Sequence, residues 1–275
     1  MVRVEMMTVG KELLIGRTLN TNAHWVGKRL ARLGTMIKEI TTIDDDLDEI
    51  SSTLKTVVAR SPDFLIVIGG LGPTPDDMTL KGLAMGMGVS LSLNKDALGL
   101  IRAHYAGRGM ANAVITPSRR KMATLPRGAT PLRNGTGTAP GVRMMVGKTV
   151  VFSLPGVPAE MKSIFAESVE PEIKRKLGPL HRKYVTLKLE GVFESVLAPY
   201  LVTLLKKHPY AYIKSHPRGT KGGVSKIEVD IAVVGEDRRA VDGEGVKIAE
   251  ELTEMVSEAG GKVKSSRGLT TGGRR

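Results

Sequence analysis

The stretch FLIVIGGLGPTPDDMT, Phe64 to Thr79, decides the fold. Its first five residues are a continuous apolar run bounded by Pro62 and Gly69, which predicts a strand buried on both faces. Gly69, Gly70, Gly72, Pro73 and Pro75 then break the strand and lead to adjacent carboxylates, Asp76 and Asp77. A strand buried on both faces needs cover on both sides, so helices should flank it in the sequence.

They do. Upstream, Val2–Val9 is rich in β-formers, and Asn20–Leu33 carries apolar residues at helical spacing (Ala23, Val26, Leu30, Leu33) before Gly34. Thr35–Ile43 predicts a second strand, and Leu47, Ile50, Leu54, Val57 and Val58 mark a second helix. A further helix follows the quoted loop. This βαβαβα order predicts an α/β domain with a mostly parallel sheet. Downstream, the Gly/Pro-rich segment 126–158 holds NGTGTAPG, a hairpin VRMMVGKTVVFS and LPGVP, and helical pattern resumes from Glu160 to about Leu177, with Pro171 breaking or restarting it. The first domain is therefore read as 1–178. Alternation in Val185–Leu189 and Ile227–Val233, with helices at Glu194–Lys207 and Asp237–Ala259, predicts a small β-α-β-β-α domain of α+β type over 182–260. Residues 261–275 hold five basic and no acidic residues and lack a period, which predicts a disordered basic tail capable of weak polyanion binding.

Composition narrows the chemistry. The 275 residues are 41% hydrophobic and 25% charged, the balance of a globular protein. No apolar run approaches the ~20 residues of a membrane helix, and the N-terminus lacks a signal-peptide pattern, so the expected location is the cytoplasm, with no membrane partner. Cysteine is absent, which excludes disulfides, thiol nucleophiles and cysteine-bound metals. The five histidines show no metal-binding spacing, so any cation should be a hard one on oxygen ligands. The net charge of +13 favours anionic partners.

The quoted loop has a bland reading: Thr74 as N-cap, Pro75 at N1, and Asp76 and Asp77 favouring the dipole of the next helix. Its place argues for more. It follows a central parallel strand, at the edge where open α/β sheets bind ligands. Glycines admit a ligand to the backbone, and amides there attract phosphate. Two carboxylates in such a spot repel phosphate unless a divalent cation lies between them, so the combination points to a metal–phosphate site. Glu12 follows the first strand and Asp45 the second, on the same predicted edge.

The motifs GKELLIG…NTN, TTIDDD, GGLGPTPDDMT, NGTGTAPG and LPGVPAEMK stand in the order and spacing of the N-terminal domain of the CinA family (competence/damage-inducible protein A). That domain resembles the MoaB/Mog molybdopterin-binding fold, and GVFES, Gly191–Ser195, is similar to the start of the small second domain in the same proteins. The resemblance implies a three-layer α/β fold, homo-oligomerisation and a metal-dependent pyrophosphatase that converts ADP-ribose, a small-molecule nucleotide, to AMP and ribose 5-phosphate. By motif, Asp77 matches the aspartate shared by both groups, Asp45 the acid after the second strand, and Asp76 only the CinA-type loop. The expected catalytic residues are Asp77, Asp76 and Asp45, with the cation on Asp76 and Asp77. Expected substrate contacts come from Gly69, Gly70, Gly72, Thr74 and Thr79 of the loop, from Glu12 and Asn22, from Gly137 and Thr138 of NGTGTAPG, and from Pro155 and Gly156 of LPGVP. Lys11 and Asp44 depart from the family pattern. The amidohydrolase domain of full-length relatives has no counterpart in the sequence, so nicotinamide mononucleotide deamidation is not expected.

Two rivals share the signals. A pterin-binding or adenylylating protein would use the same loop. A nucleic-acid-binding protein fits the charge, but four Phe and five Tyr form no recognisable stacking platform in the sequence. GVRMMVGKT misses the Walker spacing by one residue and precedes a strand, so Gly147-Lys148 reads as a hairpin turn. GTKG, Gly219–Gly222, joins two strands and reads as a solvated hairpin. Trp25 lies at core spacing. Among Arg119, Arg120 and Lys121, one is a candidate to reach a diphosphate.

Overall fold

The computed structural model describes residues 2–110 and 114–269. The chain divides into two units, 1–178 and 179–275, each with its own core.

The first unit begins with β1 (Val4–Val9), a short α1 (Lys11–Leu14), α2 (Thr21–Leu33), β2 (Ile37–Ile43), α3 (Leu47–Ala59), β3 (Phe64–Ile68) and α4 (Thr79–Met87). There follow β4 (Leu91–Leu93), α5 (Lys95–Ala106), α6 (Pro117–Met122), β5 (Thr124–Pro126), β6 (Thr130–Leu132), β7 (Gly141–Val146), β8 (Thr149–Leu154), α7 (Pro158–Ile164) and α8 (Glu170–Leu177). Local chemistry sets the helix ends. The Asn20 side chain accepts from the Ala23 amide at 3.0 Å and Gly34, at φ 95°, closes α2 in the left-handed region. Asp46 accepts from the amides of Asp48 and Glu49 to start α3.

Six strands pair in the order β2-β1-β3-β8-β7-β6. The first four are parallel neighbours, and β7 and β6 complete the sheet antiparallel. All five residues of β3 are buried, as the apolar run predicts. Alternation divides the core in two. Met7, Leu65, Val67 and Val151 pack with Ile50 and Leu54 of α3 and Leu83 of α4. Met6, Phe64, Ile66 and Phe152 pack with Val26 and Leu30 of α2 and Ile164 of α7. The result is three layers, helix–sheet–helix. Trp25 meets Phe165 edge-on, with centroids 5.4 Å apart, in the second of these cores.

Two local expectations change and a third is narrowed. The strand read from Thr35 starts at Ile37. Of breaking and restarting, Pro171 does the second: lacking an N–H, it sits in the first turn of α8, directly after a wide π turn over Phe165–Val169 that carries the helix on from α7 and buries Phe165 and Val169. The bland capping of Thr74, Asp76 and Asp77 does not occur, because α4 begins only at Thr79 and its N-cap, Met78, makes no side-chain bond.

The second unit comprises β9 (His181–Glu190), α9 (Glu194–Lys207), β10 (Tyr212–Lys221), β11 (Val224–Gly235), α10 (Arg238–Glu258) and β12 (Lys262–Arg267). Its antiparallel sheet runs β10-β11-β9-β12. Val185, Leu187, Ile227, Val229 and Ile231 face both helices, through Leu197 and Leu204 of α9 and Ile248 and Leu252 of α10. The disordered tail expected over 261–275 is therefore overturned in its first part. Lys262–Arg267 form an edge strand on β9, with Val263 packed against the core, because pairing to β9 supplies the backbone bonds that the polar composition hides. Residues 270–275 lie outside the described residues. Among the described residues, no helix is long and apolar enough to cross a membrane.

Candidate functional site

Parallel strands end at one edge, so the loops after β1, β2, β3 and β8 meet there. They enclose a cavity of about 580 Å³, within the range of small-molecule sites. Backbone bonds weld the loops to one another: the Gly10 amide donates to the Ile43 carbonyl and the Gly69 amide to that of Leu154, each at 3.0 Å.

The glycines of the central loop have distinct reasons. Gly69, at φ 120°, lies so close to the Val9 carbonyl that a Cβ would collide with it. Gly70, at φ 60°, is backed by the Thr79 hydroxyl. At Gly72 a Cβ would stand 2.5 Å from Asp77 Oδ2.

Asp77 is anchored within a turn rather than a helix. Its Oδ2 accepts from the Thr74 amide at 2.8 Å and the Thr74 hydroxyl at 2.6 Å, and its own amide donates to the Thr74 carbonyl at 3.1 Å. Lys121, at the end of α6, donates from Nζ to the carbonyls of Gly72 (3.4 Å), Asp77 (2.9 Å) and Thr74. The lysine that reads as a diphosphate candidate thus fastens the loop through backbone oxygens.

Five carboxylates line the cavity: Glu12, Asp45, Asp76 and Asp77 on the loops after the first three strands, and Glu160 on α7. Desolvation raises the Asp45 carboxyl above the usual carboxylate range, against the Lys11 amide that donates to its Oδ2 at 3.1 Å; the charges of Glu12, Asp44 and Asp76 push it further up. The Thr74 side chain, Asp76's own amide and Lys121 hold the Asp76 carboxyl below the usual range.

Across the cavity, Asn22 Nδ2 donates to the Gly156 carbonyl at 2.7 Å, while its Oδ1 is buried without a partner. Thr138, Pro155 and Gly156 also line the wall. Thr74, Thr79 and Gly137 do not: Thr74 braces Asp77, Thr79 is buried behind Gly70, and Gly137 lies against the Glu160 carboxylate, with no room for a side chain between them. The motif reading did not reach Glu160 or Tyr105, which both line the cavity. Glu160 accepts from Asn134 Nδ2 at 2.6 Å, tying LPGVPAEMK to NGTGTAPG, and its position within the first motif was the available signal. Tyr105, on α5, lies under the Arg119 guanidinium at 3.7 Å, and hydrogen bonds with Arg119 and then Thr138 lower its phenol below the usual value. No motif points to it.

No group of three or more acids or histidines stands close enough to cage a metal among the described residues. The donors at the cavity are carboxylate oxygens, and mutual repulsion already acts on Asp45. That set suits a hard cation that takes one or two carboxylates and completes its shell with water and phosphate oxygens.

Residues 5–175 match a family described as "Probable molybdopterin binding domain". A protein of Metallosphaera sedula is 40% identical over 257 residues, covering 94% of this chain and 95% of the relative. A protein of Pyrobaculum arsenaticum is 40% identical over 262 residues, covering 95% of this chain and 97% of the relative. Among solved structures, the protein CinA from Thermoplasma acidophilum is 40% identical, with a TM-score of 0.56, over 62% of this chain and 98% of that one. These matches bear out the resemblance read from the motifs.

Proposed function

We propose that this chain, which belongs to the family of the probable molybdopterin binding domain, hydrolyses the pyrophosphate bond of ADP-ribose or a similar nucleoside diphosphate sugar, giving AMP and ribose 5-phosphate. One observation carries the reading. Glu12, Asp45, Asp76 and Asp77 share a cavity with the glycine backbone of residues 69–72, so acidic side chains and phosphate-sized backbone space lie together. Carboxylates alone would repel a diphosphate.

Asp76 and Asp77 are the residues to hold a divalent cation, which when bound would supply charge neutralisation at the diphosphate. The remaining work falls to the chain. The 69–72 backbone seats the phosphates. Thr74 and Lys121 hold Asp77 and its loop still. Asn22, through its unpartnered Oδ1, has an acceptor to offer a ribose hydroxyl. Asp45, made more basic by desolvation and its acidic neighbours, orients the attacking water and accepts its proton. Water adds at one phosphorus, the bridging P–O bond breaks, and the bridging oxygen leaves with the other phosphate. The test is AMP release from ADP-ribose with and without added magnesium or manganese. Absence of product under every cation would exclude the assignment.

A second reading, binding or adenylylation of molybdopterin, is favoured by the family description. Incubation with molybdopterin and ATP separates the two: an adenylylated pterin with ADP-ribose left intact selects it.

A further inference from the structure

Both helices of the second unit pack on one face of its sheet. The opposite face has no helix of that unit on it, and its outward residues interleave aromatic and basic side chains. Tyr212 of β10 is level with Ala232 of β11, which is level with Tyr184 of β9. Two tyrosines thus flank one alanine across three strands, their backbones about 10 Å apart at twice the strand spacing. The rings are 46% and 51% exposed, for Tyr184 and Tyr212 respectively. The alanine between them is buried, so the two half-exposed tyrosines are what this part of the face presents.

Around this row the charge is positive. The acids of the face are already paired. Glu228 is shared by Lys188 at 3.4 Å and Arg218, and Glu190 by Lys226 at 3.1 Å and Lys264 at 3.6 Å. Asp230 accepts from Thr186 at 2.7 Å and meets His216 at 3.2 Å. Each glutamate therefore holds two cations, and Lys214, level with Asp230, adds another outward positive charge.

We infer that this open face binds single-stranded nucleic acid, with bases stacked on Tyr184 and Tyr212 and the backbone on the surrounding lysines. Planar π-faces and a surplus of cations on one antiparallel four-stranded sheet match what a flexible, unstacked polyanion needs. A duplex hides its base faces and would use only the charges. The stacking platform that the sequence does not display is assembled by strand register, from residues 28 positions apart. The proposal is independent of the hydrolase reading.

The test uses the full chain and fluorescein-labelled oligomers of about 16 nucleotides, in uridine, thymidine and duplex form, followed by anisotropy at about 50 and about 200 mM salt. Binding of either single strand, tighter than the duplex and weakening with salt, is expected. Tyr184→Ala with Tyr212→Ala should weaken it at least about tenfold, while the paired Phe substitutions, which keep the π-faces, should retain it. Both rings are half exposed, so the melting temperature of the double variant should match the parent. A duplex that binds as tightly as the single strands, or single-strand affinity unchanged in the folded alanine variant, would overturn the inference. So would an absence of binding by both single strands at the lower salt.

Discussion

Asp77→Asn separates the chemical role of the loop from its structural one. The asparagine carbonyl can still accept from the Thr74 amide and hydroxyl, which reach Asp77 Oδ2 at 2.8 and 2.6 Å. What disappears is the charge assistance of two bonds, at most about 1 kcal/mol each and less where water reaches the turn. Lys121 still clamps the Gly72, Thr74 and Asp77 carbonyls, so the loop keeps its second support. A loss of about 1 kcal/mol in a unit of this size lowers the melting temperature by about 2–4 °C. If Asp77 helps to hold a catalytic cation, several kcal/mol of transition-state stabilisation go with it, about a hundredfold or more in rate. The assay pairs AMP release from ADP-ribose, at saturating magnesium, with a thermal melt of the same preparation. A variant that turns over like the parent would refute the assignment of Asp77. One that melts more than about 10 °C early would refute the claim that its structural role is small.

Three further outcomes are expected. Arg60→Leu should destabilise the first unit by about 3 kcal/mol in denaturant titration: it strips the guanidinium that donates to the 2%-exposed Glu5 from Nε at 3.1 Å, leaving only Arg3 at 3.6 Å. Asp45→Asn should abolish turnover yet melt no lower than the parent near neutral pH. The raised carboxyl binds its proton more tightly folded than unfolded, so ionising it drains stability as pH rises through the window from 3.8 to its folded value; the two proteins should converge in melting temperature below that window, and a variant less stable at neutral pH would contradict the sign. Deleting Gly261–Arg275 should lower the melting temperature of the second unit, because it removes β12 and Val263 from β9; an unchanged melt would show that this strand contributes nothing.

Much of the fold is legible because its signals are local. A five-residue apolar run closed by Pro62 and Gly69 is too short for a helix and reads as a strand covered on both faces, and Asn20, Gly34 and Asp46 act on residues within a turn of themselves. The acids after β1, β2 and β3 are legible for a related reason: parallel strands share an edge, so an acid following each must approach the others. What local reasoning misses is set by distant partners. The helix start at Thr74 is a sound propensity argument, but it loses to Lys121, 44 residues beyond Asp77, which claims the carbonyls of the turn. Strand β12 is missed because an edge strand has one neighbour and needs few apolar residues; among Lys262, Val263, Lys264, Ser265, Ser266 and Arg267, only Val263 packs against the core. Tyr105 enters the site from a helix whose own pattern speaks only of helix, and Glu160 from one whose only other signal is its place in LPGVPAEMK.

The two departures from the family pattern illustrate the same point at the mouth of the cavity. Lys11 alone would bring a cation beside Glu12 and Asp45, and Asp44 alone would deepen the repulsion already raising Asp45. In the structure they answer each other: Lys11 Nζ meets Asp44 Oδ2 at 3.3 Å. The pair is exposed and contributes little to stability. Its effect is electrostatic. The lysine offsets part of the added negative charge, yet Asp44 still raises Asp45, and the Lys11 amide, not its side chain, is what reaches Asp45. Glu12, Asp44 and Asp76 together still raise Asp45, so the mouth keeps a surplus of negative charge that would favour a divalent cation and, without one, repel a diphosphate.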